Sequence, residues 1–308
     1  MKHFTRRICS VIALLGVLSV ARAQTPLDAM MMEQRESCLA LTVDQGKFDQ
    51  YWEGTYLRKN ETIAEVSRLT VMPMIAIGLH NNLNLYVSVP YIKTESSEPN
   101  GGYLHGAKGF QDLGIALKYR FLHQDMGKGK LSVLAAVGYA TPITNYLSDY
   151  RPYSLGNGTN EWATRAIVQY KFDMGLYVRA AGGHIFRGDT KVERDYYYNN
   201  GSYYTPWMDV PSAWEYNAVV GWWFLDNSLK VEASYYAQTS TSGDDIRAYN
   251  AAQPTNKVNF GQVGGNIQYF IKPVKGLGVI AYYNQMVSGR NIGKVTTFGG
   301  GLTYQFKI

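Results

Sequence analysis

The feature that most constrains the fold is a two-residue alternation of apolar and polar side chains in residues 109–121, GFQDLGIALKYRF. One parity carries Leu113, Ile115, Leu117, Tyr119 and Phe121, and the other carries Asp112, Gly114, Ala116, Lys118 and Arg120. Successive side chains of a β-strand point to opposite faces, so the segment predicts a strand with one apolar and one polar face. A helical period would scatter the apolar residues around a cylinder. The alternation alone leaves open whether the apolar face points into a soluble barrel or outwards to lipid.

The same alternation recurs and predicts twelve strands. These cover, approximately, residues 36–48, 63–78, 83–91, 109–121, 131–141, 162–172, 175–186, 214–224, 229–238, 258–271, 277–283 and 298–306. Connections after odd-numbered strands are long, and those after even-numbered strands are short. This rhythm is typical of an outer-membrane barrel with both termini in the periplasm, and a soluble sandwich has no reason for it. The predicted fold is an all-β, transmembrane, antiparallel up-and-down β-barrel of about 12 strands, with its apolar face towards lipid.

The N-terminal residues predict export. Lys2, Arg6 and Arg7 precede a short apolar core, and the sequence Ala21, Arg22, Ala23 is typical of a signal-peptide cleavage site. The predicted organisation is a signal peptide at residues 1–23, a periplasmic lead at 24–35 and an outer-membrane barrel at 36–308. A lead that enters the lumen as a plug is the alternative. The predicted location is the outer membrane of a Gram-negative cell.

The net charge and the cysteine content bear on which partners, cofactors and disulfides are expected. The net charge is +6, and removal of residues 1–23 deletes four basic residues and no acid, which leaves 6 − 4 = +2. No basic run with interleaved aromatic residues remains, so nucleic acid is not expected as a partner. No metal-ligand spacing is present and no cofactor is expected. Cys38 would be the single cysteine after cleavage, so no internal disulfide is expected.

Charged side chains on the polar face are the candidate lumen-lining residues. They are Asp112, Lys118, Arg120, Arg165, Lys171, Arg179, Glu215, Lys230 and Glu232. Such residues could form a constriction that selects solutes by charge. The alternative is a ladder of cross-strand pairs that fills a narrow lumen and fixes the strand register.

The predicted loops contain a second candidate site. An aromatic loop with Tyr51, Trp52 and Tyr56 follows the first strand, a polar loop covers residues 94–108, and the longest loop covers 187–212. The longest loop holds an aromatic cluster formed by Tyr196, Tyr197, Tyr198, Tyr203, Tyr204 and Trp207. This cluster could capture an apolar solute at the barrel mouth, or it could pack to fold the loop over the barrel.

An enzyme is a rival class, because a twelve-stranded outer-membrane barrel can be a phospholipase. Such an enzyme needs a His and a Ser close together on one strand face near the outer rim. His184 lies near the outer end of the seventh predicted strand, but Phe186 stands two residues further on. The sequence therefore predicts no catalytic residues.

Two stretches of the sequence resemble a known family. A strand ending in Val89, Pro90 and Tyr91 is followed by a variable loop and GFQDLGIALKYRF. This pattern resembles the phenol-degradation meta-pathway family of outer-membrane transporters, although Gln111 stands where a second glycine is usual. The wider context of residues 30–121 is similar to members from Bacteroidetes-type bacteria. The resemblance implies a barrel that passes small, often aromatic, compounds, and it brings no catalytic or ligand residues.

The predicted function is that of a monomeric, porin-like channel for passive uptake of a small hydrophobic or aromatic solute. Its predicted partners are outer-membrane lipid and that solute. A plugged, non-transport barrel with a structural or surface-binding role is the alternative, and a soluble ligand-binding barrel is a third.

Overall fold

The structure is a computed structural model that describes residues 25–101, 103–247 and 251–308. Every regular element within these ranges is a β-strand. None of the described residues form a helix with the length and hydrophobicity of a membrane-spanning helix. The predicted signal peptide, residues 1–23, lies outside the described residues.

The described residues form twenty strands. The first ten are β1 Glu36–Phe48, β2 Gln50–Glu53, β3 Tyr56–Lys59, β4 Val66–His80, β5 Leu83–Ser88, β6 Tyr91–Asn100, β7 Leu104–Phe110, β8 Asp112–Asp125, β9 Gly129–Pro142 and β10 Glu161–Phe172. The others are β11 Leu176–Arg187, β12 Asp189–Lys191, β13 Tyr197–Tyr198, β14 Ser202–Tyr203, β15 Trp207–Asp209, β16 Ala213–Phe224, β17 Leu229–Ser240, β18 Asn259–Phe270, β19 Leu277–Arg290 and β20 Thr296–Lys307.

The main sheet closes on itself into a barrel. It contains fourteen of the described strands, each antiparallel to its neighbours, and β1 pairs with both β20 and β4. Two barrel strands are interrupted, so the fourteen segments make 14 − 2 = 12 barrel strands: β5 continues into β6, and β7 into β8. The first interruption falls at Val89 and Pro90, where proline has no N–H to give to the ladder. The predicted closed antiparallel barrel of about 12 strands is confirmed.

Burial along the barrel strands is the reverse of that in a soluble barrel. On β8, Leu117 is 45% exposed whereas Lys118, its neighbour, is 0% exposed. The same alternation places Val220 outside and Glu215 inside on β16. Apolar side chains therefore cover the outer surface of the barrel, and charged side chains point into its lumen.

Aromatic residues pack in pairs across neighbouring strands on this outer surface. Tyr139 of β9 and Trp162 of β10 have ring centroids 4.6 Å apart, and Tyr283 of β19 and Phe298 of β20 are 4.9 Å apart. Tyr139, Trp162 and Phe298 lie near the ends of their strands, where the aromatic belts of membrane barrels lie, whereas Tyr283 lies at the middle of β19.

The connections define two ends of the barrel. The turn end holds the start of β1, the end of β20 and short connections such as residues 173–175. The loop end, opposite, holds the long connections 143–160, 188–212 and 241–258. The connection after β19 is an exception, since only residues 291–295 separate it from β20.

Two predicted loops at the loop end are wrong. The polar loop predicted at residues 94–108 is largely a hairpin, because β6 and β7 extend their barrel strands beyond the rim. The aromatic stretch after β1 is also a hairpin, formed by β2 and β3. In the longest loop, β12 pairs with β15 and β13 pairs with β14. Hydrogen bonds between local strands satisfy backbone groups there that a plain loop would leave to water.

Candidate functional site

The nine candidate lumen-lining residues lie at three levels of the barrel. Arg120 and Lys171 lie near the turn end, where they donate to the side-chain oxygens of Asn82 and Asn227. Asp112, the first residue of β8, lies near the loop end and accepts a hydrogen bond of 2.6 Å from the Tyr146 hydroxyl. Lys230, the second residue of β17, also lies near the turn end, and the other five lie between these levels. Six of the nine are buried or largely buried: Lys118, Arg165, Arg179, Glu215, Lys230 and Glu232.

Glu232 organises the first of two charged clusters. Its carboxylate lies 3.1 Å from a terminal nitrogen of Arg179 and 3.6 Å from Lys230 Nζ. Tyr177 and Asn266 also donate to it, at 2.5 and 2.6 Å. These charged side chains are buried, so each charge is stabilised mainly by its opposite partner in the cluster. Removal of one partner from such a cluster costs roughly 3–5 kcal/mol.

Glu215 organises the second cluster, nearer the loop end. Arg165 Nε lies 2.6 Å from one carboxylate oxygen of Glu215, and the Tyr236 hydroxyl donates to the other at 3.0 Å. The Arg165 side chain crosses from β10 over β11 to reach β16, and Gly183 of β11 makes room for it. A Cβ at Gly183 would lie 3.0 Å from Arg165 and 3.2 Å from Glu215. A side chain at this position would therefore crowd the ion pair.

The lead before β1 lies inside the barrel. Met32 packs with Cys38, Ala76, Tyr86 and Ala116, which belong to β1, β4, β5 and β8. Met31 packs with residues of the next three strands round the barrel, Leu134, Ile167 and Ala181. Residues 25–32 therefore pack against lumen-facing side chains, which is the arrangement of the alternative, a lead that enters the lumen.

Lys118 anchors this lead. Its Nζ donates to the carbonyl oxygens of Thr25 and Asp28, at 2.8 and 3.0 Å, and to Asp28 Oδ1 at 2.9 Å. The ammonium also lies 5.0 Å from the centre of the Tyr86 ring, a cation–π contact. Asp28 in turn accepts hydrogen bonds from the backbone N–H groups of Thr25 and Met30. The residues of the lead were not candidates from the sequence, because the lead has no period and Asp28 lies 90 residues from Lys118.

A cavity of ≈ 510 Å³ lies in the loop-end half of the lumen. Its lining comes from β4, β8, β10, β11, β17 and β18, together with residues of the long loops, so it extends across the barrel. The charged residues of the lining are Arg68, Asp112, Arg151, Glu161 and Arg187. Only Asp112 was a candidate from the sequence. Arg68 stood on the polar face of the second predicted strand, and that position was the available signal for it.

The three arginines of the cavity have different partners. Arg187 Nε lies 2.8 Å from Glu161. Arg68 donates to the carbonyl oxygens of Leu155 and Ser154, at 2.7 and 3.3 Å. Arg151 donates to Ser148 O at 3.0 Å and to Asn157 Oδ1 at 2.9 Å. Among the described residues, no carboxylate oxygen lies within 4.0 Å of Arg68 or Arg151.

The aromatic cluster of the longest loop is partly packed and partly exposed. Tyr197 and Tyr203 stack with centroids 5.0 Å apart across the β13–β14 pair, and Tyr196 lies 5.1 Å from Tyr204. Tyr197 is buried against Val192 and Met208. Tyr196, Tyr203, Tyr204 and Trp207 are exposed. The carbonyl oxygen of Tyr198 accepts a 2.6 Å hydrogen bond from Gln253 and ties this loop to the next long loop.

The part of the chain that the structure describes holds no group of three or more His, Cys, Asp or Glu side chains placed to bind a metal ion. The half-buried His184 of β11 lies between two aromatic rings on the apolar outer surface, 4.3 Å from Phe186 and 4.6 Å from Trp214.

Fold and lumen together define the class: a closed twelve-stranded barrel with an apolar exterior and a charged, partly filled interior. The structure is similar to the crystal structure of the COG4313 outer membrane channel from Pseudomonas putida F1. The TM-score is 0.73 at 11% sequence identity, over 92% of this chain and 100% of that one. At this identity the likeness bears on the fold alone.

Two further structures are less similar. The translocator domain of the autotransporter NalP from Neisseria meningitidis has a TM-score of 0.47 at 13% identity, over 98% of this chain and 94% of that one. A TodX monoaromatic hydrocarbon channel mutant has a TM-score of 0.43 at 10% identity, over 91% and 92%. No family model and no curated protein matches the sequence. The family resemblance of residues 30–121 therefore stays a prediction.

Proposed function

We propose that this protein is a channel of the outer membrane that admits a small solute by passive diffusion. The observation that carries the proposal is the reversed burial of the closed barrel, with leucines and valines outside and lysines, arginines and glutamates inside. An exterior of this kind is stable only in contact with apolar material, and a barrel satisfies every strand hydrogen bond without water. A soluble ligand-binding barrel would bury the opposite face.

Passage through the lumen requires that the lead move. Residues 25–32 pack against seven consecutive barrel strands, and the clusters of Glu215 and Glu232 occupy the lumen beside them. The loop-end half holds the cavity, so a solute from outside would reach the cavity first and the lead second. The lead is therefore the proposed gate of the channel.

Location, export and oligomeric state complete the proposal. The chain is a monomer of the outer membrane of a Gram-negative cell. Its signal peptide directs export and is cleaved after Ala23. N-terminal sequencing of the purified protein should begin at Gln24. The protein should fractionate with the outer membrane, dissolve only in detergent and migrate faster on a gel before boiling than after it. A protein that is extracted by salt or buffer alone would contradict the membrane assignment.

Electrical recording in planar bilayers, together with liposome swelling, tests the channel. The matched variant lacks residues 25–32 and keeps β1 intact. We expect current steps and swelling from both proteins, with a larger conductance and a longer open time for the variant. If neither protein gives current or admits a small neutral sugar, the channel proposal fails.

A plugged barrel with a surface-binding role is the second candidate, and the complete burial of Met32 inside the lumen favours it. The two candidates differ in the full-length protein. A channel gives current with the lead present, whereas a permanently plugged barrel gives current only after the lead is deleted. The solute class carried by the family resemblance, a small hydrophobic or aromatic compound, is part of the proposal and is tested by uptake into the same liposomes.

A further inference from the structure

The cavity at the loop end carries more positive than negative charge. Its lining has three arginines and two carboxylates, which gives 3 − 2 = +1. Glu161 is engaged by Arg187, and Asp112 accepts from Tyr146. Arg68 and Arg151 donate hydrogen bonds to neutral oxygens. A carboxylate is the strongest partner for a guanidinium, and none among the described residues lies within 4.0 Å of either arginine. Asp44 and Asp112 attract Arg68, and Asp149 attracts Arg151, only from further away.

The electrostatics of Arg151 point the same way. Burial is the main cause that lowers the pKa of the Arg151 guanidinium to about 10, and the neighbouring Arg68 is the next cause. The Arg151 side chain is still protonated at neutral pH. Two cations that repel each other inside a barrel form a site that an anion would stabilise.

Part of the lining is apolar, among a larger area of polar groups. Pro211, Val258 and Phe260 line the same cavity as the arginines. A volume of ≈ 510 Å³ falls in the range of small-molecule sites, roughly 300–1,000 Å³. The combination of a cationic side and an apolar side suits a molecule that has one charged end and one hydrocarbon part, rather than an inorganic ion.

We propose that the cavity is a binding site for a small organic carboxylate, with its charged group at Arg68 and Arg151 and its hydrocarbon part against Pro211, Val258 and Phe260. This inference rests on the proposed channel function and specifies its solute as an anion. The cavity would then be the first binding site that a solute meets on its path inwards from the loop end.

Benzoate is a suitable probe, because it joins a carboxylate to an apolar ring. Its binding to the purified protein in detergent is measured by calorimetry, with benzyl alcohol as the neutral analogue and inorganic phosphate as the anion without hydrocarbon. We expect saturable binding of benzoate alone. Arg68→Gln and Arg151→Gln should each weaken it by ~10-fold or more, since each removes one charge-assisted contact.

Arg58→Gln is the matched control. It removes one positive charge at the loop end, but Arg58 lies on the β2–β3 hairpin outside the cavity lining and is paired with Glu53. Its affinity for benzoate should equal that of the wild type. Arg68→Lys keeps the charge without the planar fork, and should bind with an affinity between those of wild type and Arg68→Gln. The boiling-dependent gel shift reports whether each variant is folded.

Equal binding of benzoate and benzyl alcohol would overturn the inference, as would equal loss in Arg58→Gln and Arg68→Gln. Phosphate binding as tight as that of benzoate would assign the cavity to inorganic anions and would also overturn it. The outcome is independent of the channel test. Current steps without benzoate binding would refute this site alone, and benzoate binding without current in any variant would refute the channel alone.

Discussion

The contact between Lys118 and Asp28 holds the lead in the lumen, and its removal should release the lead. We consider Lys118→Met, which keeps most of the side-chain volume and removes the ammonium. The change leaves the Asp28 carboxylate buried without its cation. Asp28 retains the backbone N–H groups of Thr25 and Met30 as donors, so the lower end of the range for a broken buried pair applies, roughly 3 kcal/mol. That figure is a change of ~10²-fold in the equilibrium between docked and released lead.

The protein carries a natural reporter for this equilibrium. Cys38 is 2% exposed, lies on the inward face of β1 and packs against Met32 of the lead. It is the one cysteine that the described residues contain. When the lead leaves, Cys38 becomes open to the turn-end mouth, so a thiol reagent that cannot enter the docked protein should react in proportion to the released fraction. We expect Lys118→Met to label ~10²-fold faster than wild type at the same reagent concentration.

Two variants control the experiment. Lys130→Met removes a lysine from the turn end whose side chain is 53% exposed and paired with Asp125 at 3.4 Å, and it should not change the labelling rate. The double variant with Lys118→Met and Asp28→Asn removes the unpaired charge as well, and should label at a rate between wild type and Lys118→Met. An unchanged rate in a folded Lys118→Met would refute the role of this ion pair. Equal acceleration by Lys130→Met would show that barrel loosening, not lead release, exposes Cys38.

Three further predictions concern the wall, the interior and the loops. Val168→Arg places a charge on the outward face at the middle of β10 and should lower the free energy of unfolding in lipid vesicles by ~2–4 kcal/mol. The control Val168→Leu should change this free energy little. Equal urea midpoints for the two variants would contradict the lipid-facing assignment. Glu232→Gln leaves Arg179 and Lys230 buried without their carboxylate and should lower the same free energy by ~3–5 kcal/mol, whereas Glu98→Gln, at an exposed site, should be neutral. The hydrogen bond from Arg290 holds the pKa of Asp245 below its ordinary value of 3.8. The Asp245 carboxylate also accepts from Asn291, whose side-chain amide donates to the carbonyl oxygen of Lys257, so the ionised carboxylate helps to order residues 251–258. This contribution is present above pH 3.8 and is lost as the pH falls through the lowered pKa. Hydrogen exchange of these residues, corrected for intrinsic rates, should accelerate on acidification in the wild type and be fast at both pH values in Arg290→Gln; an acid-independent wild type would contradict this.

The barrel wall can be predicted from the sequence because the alternation of side chains in a strand depends only on local geometry. On β8, the apolar residues Leu113, Ile115 and Leu117 alternate with polar-face residues such as Lys118, so the sequence predicts a strand with two different faces. The recurrence of this pattern along the chain predicts the number of strands. The burial of Lys118 and the exposure of Leu117 then follow once the sheet is closed. The sequence does not predict the extension of β6 and β7, because the segment from Ser96 to Lys108 is polar and rich in glycine and shows no alternation.

The contents of the lumen depend on contacts between distant residues, and the sequence does not predict them. Asp28 meets Lys118 from an aperiodic segment, and no pattern in residues 25–32 distinguishes a plug from a free lead. Arg151 lies in a long loop and reaches the cavity only because that loop folds over the barrel. Its partner Asn157 lies in the same loop, so the arginine is positioned by local contacts that have no strand period.

The ion-pair partners of the charged lumen residues distinguish side chains that fill the lumen from side chains that are available to bind a solute. A lumen that serves structure alone must pair its charges, because an unpaired buried charge is costly. Arg165, Arg179 and Lys230 meet this condition through Glu215 and Glu232, so the alternative of a ladder of paired charges suits most of the candidates from the sequence. Arg68 and Arg151 are half-buried in the same barrel, and among the described residues no carboxylate lies within 4.0 Å of them, although Asp44, Asp112 and Asp149 attract them from further away. Packing and register need no such cations beside a cavity, and a solute anion supplies the missing partner.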